Sequence, residues 1–424
     1  MEDSVTYVTD LAKRARRASR ALAATDGQTR TDMLRAIAAG LRNASAKLIE
    51  ANARDLSAAK DANLAAALIE RLRLDEKRVA KMADAVEQIA GQVDPVGQTL
   101  EGYNRPNGLR IEKRRAPLGV VLFFYESRPN VTADAAALCL KSGNAVILRG
   151  GKEAFHSNKA IIDVIHSALR TQHSELSDAV QFIESTDRAL VPPLLKLDQH
   201  IDLVIPRGGE SLIRAVVKES TIPVLKHYTG NCHTYVDAAT VGIEDQVRAV
   251  CVNAKTSYPG AAVCNATEHI LFHKDAAPRL LAKVCADLAA KGVEIRGDER
   301  TRELYPQAKL ASAEDWSTEY LAFIVGVKIV DSIDDAIAHI NEFGSHHTDA
   351  ILTTDTGAAE KFTTQVDSAS IMINASTRFA DGGEYGLGAE LGISTDKLHA
   401  RGPMGAADLT TYKWIVTGNG HVRT

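Results

Sequence analysis

Pro117-Leu-Gly-Val-Val-Leu-Phe-Phe-Tyr125 is an unbroken apolar run that ends on a charged, proline-containing stretch, Glu126-Ser-Arg-Pro-Asn130. A strand with one face in water alternates apolar and polar residues, whereas a strand covered on both faces does not. The run therefore reads as a buried parallel strand, and such a strand needs helices on either side. The sequence supplies them. A helix is expected over 131–141, then a strand at Ala145-Val-Ile-Leu148. A further strand at Ile201-Asp-Leu-Val-Ile205 leads into Pro206-Arg-Gly-Gly209 and another helix. Strands alternating with helices predict a doubly wound α/β sheet. A second α/β set is expected between about 250 and 375, with strands at Glu268-His-Ile-Leu-Phe272, Ile324-Val-Gly-Val327 and Ser370-Ile-Met-Ile373.

Upstream, residues 5–92 read as helices. Leu34, Ile37, Leu41 and Leu48 recur at helical spacing, and Thr31-Asp32 offers a cap. The basic run Lys13-Arg-Ala-Arg-Arg17 resembles a transit peptide, but Glu2, Asp3 and Asp10 interrupt it and the Ala-rich helical texture continues beyond it. It is read as a solvated helix face. Gly102-Tyr-Asn-Arg-Pro-Asn-Gly108 is turn-rich, and Leu109-Arg-Ile-Glu-Lys-Arg-Arg115 alternates as a charged strand. That strand is either an oligomerisation arm or a plain edge strand.

Composition narrows the class. At 424 residues the chain can hold two or three cores, and 45% apolar with 25% charged residues is ordinary for a globular protein. A net charge of −4 argues against nucleic acid or an anionic membrane as the main partner. No stretch reaches the roughly 18 apolar residues of a membrane span. The five cysteines, Cys139, Cys232, Cys251, Cys264 and Cys285, are scattered and form no CxxC pair, which predicts a reducing cytoplasm and no disulfide framework.

Ligands of parallel sheets bind beyond the carboxyl ends of the strands, so the turns there are candidate sites. Arg149-Gly-Gly-Lys152 is one: its glycines allow close backbone approach, and Arg149 and Lys152 suit a ribose or phosphate. Arg207-Gly208-Gly209, opening a helix, is another candidate for phosphate. Neither is GxGxxG. Cys264 is the candidate nucleophile. Gly260, Ala261 and Ala262 leave room beside it, and Lys255 upstream is a source of positive charge. An ordinary thiol is only roughly 3% ionised at pH 7, so such a site needs that charge. The alternative is one more buried cysteine. His346-His347-x-Asp349, with His339 nearby, has the residue types of a metal site.

Several blocks resemble one family. Pro117-Leu-Gly-Val with Tyr125-Glu-Ser-Arg-Pro-Asn-Val131 is one, and Cys139-Leu-Lys-Ser-Gly-Asn-Ala-Val-Ile-Leu-Arg-Gly-Gly-Lys152 another. Lys226-His-Tyr-Thr-Gly-Asn-Cys-His233, Asn253-Ala-Lys255, Val263-Cys-Asn-Ala266 and the segment 330–351 follow in family order. Together they are similar to the γ-glutamyl phosphate reductases of the aldehyde dehydrogenase superfamily, over roughly 5–418. The resemblance implies a doubly wound cofactor domain, an α/β catalytic domain and a small β oligomerisation arm. Expected boundaries are 1–103 with 117–250 for the cofactor domain, 251–384 for the catalytic domain, 104–116 with 406–424 for the arm, and 385–405 as a return to the cofactor domain.

The resemblance further implies NADPH-dependent reduction of L-glutamate 5-phosphate to L-glutamate 5-semialdehyde through a cysteine thioester, in proline synthesis. Cys264 matches the nucleophile, Lys152 the lysine at the adenosine ribose, and Gly208 and Gly209 the turn near the pyrophosphate; Arg149 and Arg207, from the same two turns, are further cofactor candidates. The oxyanion donor falls on Arg128 by counting and on Asn130 by residue type. Ser127, Arg128 and Arg378 are candidate substrate ligands. Oxidising relatives use a glutamate base where this chain reads Thr229-Gly-Asn-Cys-His233, without a carboxylate; His233 is either a base or structural. Thr256–Val263 is longer than the family leads one to expect, which leaves the presentation of Cys264 open. The family is metal-free, so no metal is expected. A homodimer or tetramer is expected, and, with no kinase domain apparent, the acyl phosphate would come from another protein, with transient contact to glutamate 5-kinase. The competing readings are a broader aldehyde dehydrogenase, oxidising or CoA-acylating, and a non-catalytic nucleotide-binding relative.

Overall fold

The computed structural model describes residues 2–126 and 128–423, in two compact units. The first comprises residues up to Lys226, Gly386–Gly392 and the segment from Pro403 onward; the second comprises His227–Tyr385 and Ile393–Gly402.

The first unit begins with α1 (Glu2–Ala23), α2 (Gly27–Asn43), α3 (Ser45–Asp61), α4 (Ala66–Leu72) and α5 (Glu76–Gly91). The basic run lies on α1, whose Leu11, Ala12, Ala15, Ala18 and Leu22 are buried on one face. Leu34, Ile37 and Leu41 form the buried stripe of α2, and Leu48 continues it on α3. The cap of α2 is not Thr31-Asp32, which lies inside the helix, but Asp26, whose carboxylate accepts from the Thr29 amide at 2.7 Å. Asp26 meets the two requirements of a cap, extended backbone and a short side-chain acceptor within reach of the Thr29 amide.

After β1 (Thr99–Asn104) and β2 (Arg110–Pro117) comes β3 (Val120–Tyr125), with all six residues buried. It is followed by α6 (Asn130–Lys141), β4 (Ala145–Gly150), α7 (Phe155–Gln172), β5 (Val180–Phe182), the short α8 (Val191–Leu194), β6 (Leu203–Arg207) and α9 (Glu210–Glu219). The strands are parallel, in the order β5-β4-β3-β6. The order reverses between β3 and β6, so the crevice at their carboxyl ends is the switch point of a doubly wound sheet. Tyr125 pairs with Arg207 there, which sets Glu126 opposite Gly208 and Gly209.

The second unit is one seven-stranded parallel sheet. Its elements are β7 (Cys232–Val236), α10 (Glu244–Thr256), β8 (Thr267–His273), α11 (Ala277–Ala289), β9 (Glu294–Gly297), α12 (Glu299–Leu304), β10 (Lys309–Leu310), β11 (Ile324–Val330), α13 (Ile333–Phe343), β12 (Thr348–Leu352), α14 (Thr356–Gln365) and β13 (Ser370–Ile373), in the order β10-β9-β11-β8-β7-β12-β13. Two apolar layers cover its faces. One is centred on Ile270, Phe272, Leu280, Leu281 and Val325, the other on Tyr235, Leu271, Ile337, Ile351 and Phe362. The unit starts at His227 rather than 251, because β7 pairs with β8 and β12 and α10 packs on the same sheet. A two-residue ladder joins β14 (Ile393–Ser394) to β15 (Gly402–Pro403).

The last strand, β16 (Thr410–Thr417), runs antiparallel to β2, and β1 flanks β2 on its other side. The charged strand is thus the centre of a three-stranded sheet, not an edge. The sheet begins at Thr99 rather than 104 because β1 reaches Thr99↔Arg114. Leu100, Tyr103, Tyr412, Trp414 and Val416 are exposed on it. Among the described residues, no helix is long and apolar enough to cross a membrane.

Candidate active site

Cys264 lies at the amino-terminal edge of the second sheet, three residues before β8. His227 and Gly230 precede β7, and His347 precedes β12. The strands β8, β7 and β12 are neighbours, and adjacent strands lie about 4.8 Å apart, so loops entering them from one edge bring their side chains together. A ligand atom of each of His227, Cys264 and His347 lies within 4.8 Å of the others. The two imidazoles meet edge to face, with ring centroids 5.3 Å apart. The carboxyl-end rule does not lead to Cys264, which sits at the opposite end of its strands.

The loop before Cys264 is a single 3-10 turn, Pro259–Ala261, with Gly260 at φ 68° and Ala261 at φ 53°. Its far side is fixed by a close backbone contact. A Cβ on Gly230 would stand 2.0 Å from the Cys264 carbonyl oxygen, so only glycine fits. The Cys232 thiol donates to that oxygen at 3.1 Å, and the Asn231 amide holds the adjoining turn through the carbonyls of Trp316 and Phe343.

Cys264 is half-buried; the other four cysteines are buried. Burial raises the thiols of Cys139, Cys232 and Cys251 far above the ordinary value and pushes Cys285 up to about 12. Burial opposes ionisation of Cys264 too. There the charge of His347 and its contact and that of His227 with the sulfur outweigh burial, and the thiol falls well below its ordinary value. The charge does not come from Lys255. That ammonium lies 2.6 Å from Glu268 in an ion pair with both side chains fully buried. His347 is buried, with Nδ1 2.9 Å from the Thr348 hydroxyl.

A carboxylate also reaches this edge, from a segment remote in sequence. Burial raises the Glu319 carboxyl, the Gly230 amide N–H lowers it, and the charge of Cys264 raises it again. The lack of a carboxylate in 229–233 therefore does not leave the neighbourhood of Cys264 without one. His233 is fully buried in β7. Its amide donates to Asp349 at 2.7 Å, and its ring packs on those of His269 and His339, at 5.0 and 5.5 Å. His346, His347, Asp349 and His339 do not converge. His346 Nδ1 lies 2.6 Å from the Asp367 carbonyl, Asp349 serves His233, and His339 Nδ1 lies 3.3 Å from Lys328 Nζ.

Arg378 follows β13 in the turn Thr377–Phe379. Its Nε donates to the Ser257 hydroxyl at 3.2 Å and its guanidinium lies over Tyr258, 5.6 Å from the ring centroid. Asn265, next to Cys264, receives the Thr377 hydroxyl on its carbonyl at 2.7 Å and donates its amide to the Ala380 carbonyl at 2.9 Å. The Arg378 turn is thus stapled to the Cys264 loop.

In the first unit, the α9 N-terminus at the switch point faces a carboxylate. Gly209 N–H donates to Glu126 at 3.2 Å, and a Cβ on Gly208 would stand 2.7 Å from the same carboxyl group. Burial raises that carboxyl, and the Gly209 N–H pulls it back. Arg207 is engaged by Glu390, through its carbonyl at 3.1 Å and its carboxylate at 3.7 Å. Gly150 is bare for internal reasons, since a Cβ would stand 2.1 Å from the Asn158 amide. Lys152 is exposed in the turn after β4. Arg149 donates to the Asp187 carbonyl at 3.0 Å, while its Nε is buried without a partner. Burial and the neighbouring Arg188 both disfavour its charge. An anion-accepting helix terminus and two adjacent guanidiniums fit a phosphate-bearing dinucleotide. Asn130 opens α6, with its amide donating to Asp134 at 2.9 Å; the Asp134 carboxyl is raised by burial to about 6. Arg128 is half-buried just before α6, and Ser127 lies outside the described residues.

A half-buried thiol beside two imidazoles at one sheet edge, and a doubly wound sheet of the nucleotide-binding type, suit an oxidoreductase. The chain belongs to the aldehyde dehydrogenase family, whose family model matches residues 2–316. It is 51% identical, over all of its own length and 96% of the relative's, to the γ-glutamyl phosphate reductase of Rhodopirellula baltica. It is 48% identical, over 97% of each chain, to that of Moorella thermoacetica. The crystal structure of γ-glutamyl phosphate reductase from Thermotoga maritima superposes with a TM-score of 0.94 at 42% identity, covering 98% of this chain and all of that one.

Proposed function

We propose that the chain reduces L-glutamate 5-phosphate to L-glutamate 5-semialdehyde with release of phosphate, using NADPH, as the second step of proline synthesis from glutamate. The observation that carries this reading is the placement of Cys264, half-open between two imidazoles, in a chain half-identical to γ-glutamyl phosphate reductases. The Cys264 thiolate attacks the acyl carbon; the carbon–sulfur bond forms, the bond to the phosphate oxygen breaks and phosphate leaves. His347 and His227 hold the thiolate before attack. NADPH, when bound, supplies the hydride. Collapse of the resulting thiohemiacetal returns the thiolate and frees the aldehyde, which cyclises to 1-pyrroline-5-carboxylate.

In this reading Asn130 donates to the developing oxyanion, and Arg128, Ser127 and Arg378 bind the substrate, with Arg378 at the α-carboxylate. Lys152, Arg149, Arg207, Gly208 and Gly209 hold the cofactor, where the unpartnered Arg149 Nε supports a phosphate ligand. The sheet β1-β2-β16 serves homo-oligomerisation, supported by its exposed Tyr103, Tyr412 and Trp414. The enzyme works in the cytoplasm and receives its labile substrate from glutamate 5-kinase.

Glu319 favours a second reading, hydrolytic oxidation of an aldehyde, because a carboxylate beside the thioester can activate water. One assay separates the two: oxidation of glutamate semialdehyde with NADP⁺ and with NAD⁺, with and without phosphate. The proposed reaction requires phosphate; oxidation that proceeds equally without it selects the hydrolytic reading. Cys264→Ala should abolish turnover and retain NADPH binding.

A further inference from the structure

Among the described residues, one group of His, Cys, Asp or Glu side chains is close enough to share a metal ion, and it is His227, Cys264 and His347. Tetrahedral zinc, with bonds of about 2.3 Å to sulfur and 2.0–2.1 Å to nitrogen, separates its ligand atoms by roughly 3.3–3.6 Å. Atoms already within 4.8 Å need to close by no more than about 1.5 Å. The loops that carry them enter three adjacent strands, so the set is built by the sheet rather than by one mobile segment. His347 is buried and oriented through Nδ1 by the Thr348 hydroxyl, while its Nε2 has no hydrogen-bond partner. Cys264 and His227 are partly exposed, which gives an ion a way in. Glu319 adds negative charge beside the group.

We propose that Zn²⁺ binds reversibly to Cys264, His227 and His347 and switches the nucleophile off. One thiolate and two imidazoles form the mixed sulfur–nitrogen set that suits zinc over magnesium or calcium, and three protein ligands leave the fourth position to water. On binding, zinc–sulfur and two zinc–nitrogen bonds form, the protons held on the sulfur or on the coordinating imidazole nitrogens pass to the buffer, and no electron moves. A sulfur lone pair committed to zinc is not available to an acyl carbon. The metal is no part of the catalytic cycle, and its binding does not depend on what Cys264 attacks; only the inhibition rests on the proposed function.

The test is a competition between the full-length protein and a chromophoric chelator for Zn²⁺. One ion per chain is expected. Cys264→Ser should abolish that binding, and His347→Ala or His227→Ala should weaken it at least tenfold, since even losing an outer-shell partner typically costs 10–100-fold. Co²⁺ in place of Zn²⁺ should give thiolate-to-cobalt charge-transfer absorption in the wild type and none in Cys264→Ser. For a histidine variant that does not fold, the wild type alone suffices. Zinc should block iodoacetamide alkylation of Cys264, read by mass spectrometry, and EDTA should restore it. Equal zinc affinity in Cys264→Ser, no stoichiometric zinc, or an unchanged alkylation rate at saturating zinc would overturn the proposal. None of these readouts needs turnover, so a failed reductase assay and a failed zinc site are distinguishable.

Discussion

The α-carbon of Gly230 packs so closely on Cys264 that a Cβ there would lie 2.0 Å from the Cys264 carbonyl oxygen and 2.5 Å from its α-carbon. The atoms it would strike are backbone and cannot swing aside. Gly230→Ala must therefore displace the Cys264 loop. A misplacement of about 1 Å at a reacting group can cost on the order of 10²-fold in rate. Steady-state kinetics should show kcat/KM for the acyl phosphate falling by about that factor, with NADPH binding, followed by fluorescence titration, unchanged. A variant within a few-fold of wild type would mean that the loop tolerates the shift.

Glu126 occupies the end of α9 that the proposed cofactor phosphates would share. A carboxylate at a helix N-terminus is worth roughly 0.3–1 kcal/mol, and its charge opposes an incoming anion. Glu126→Gln should lower the KM for NADPH about two- to fivefold with kcat unchanged, whereas Lys152→Ala should raise it. A rise in KM for Glu126→Gln would instead make Glu126 a cofactor ligand.

Glu268 is the only counter-charge within ion-pair distance of Lys255 among the described residues, and both side chains are wholly buried. Removing one member of a buried pair typically costs about 3–5 kcal/mol, because the other charge stays behind. Glu268→Gln should lose stability on that scale in urea unfolding. Lys255→Met combined with Glu268→Leu should recover most of it. Equal losses in the single and double variants would show that the pair contributes by shape alone.

His339 and His269 lie within the second unit, and burial is the largest influence on both. It lowers His339 to about 3, with His233 and Lys328 adding to the shift, and holds His269 well below the ordinary imidazole value. In the unfolded chain both titrate near 6.5, so below that pH the unfolded state binds more protons. Stability is therefore unaffected above about 6.5 and falls as pH drops toward 3. At pH 5 each such histidine costs on the order of 2 kcal/mol. His339→Gln should shrink the difference in unfolding free energy between pH 7 and pH 5 by about that amount; an unchanged difference would mean that His339 stays protonatable in the fold.

Much of the architecture is written in local sequence. The run 120–125 is apolar without alternation because both its faces are covered, and the strand 370–373 stands where its pattern places it. The first strand of the second sheet is harder to read. Cys-His-Thr-Tyr-Val mixes polar and apolar residues, because His233 and Thr234 are buried with polar neighbours. The unit boundary inferred near 250 misses it for that reason.

The site divides the same way. Cys264 stands out by its small neighbours, but what lowers its thiol does not. Lys255 is near in sequence and spent on Glu268, whereas His227 and His347 lie 37 residues before and 83 after it and meet it only because three strands are adjacent. Glu319 is equally remote. Both histidines lie in blocks already set apart by resemblance, but nothing local distinguishes His347 from His346.

The pairing of β2 with β16 also has a consequence during synthesis. Lys113 meets Trp414, so one long edge of β2 has no partner until the ribosome has made some three hundred further residues. The seven-stranded sheet of the second unit is complete by Ile373, before β16 exists. The inserted unit can therefore fold first, while β2 and β1 wait as an open hairpin edge of the kind that recruits stray strands. The closely spaced charges of that hairpin, Glu101, Glu112, Lys113 and Arg114, keep the waiting edge soluble until its own strand arrives.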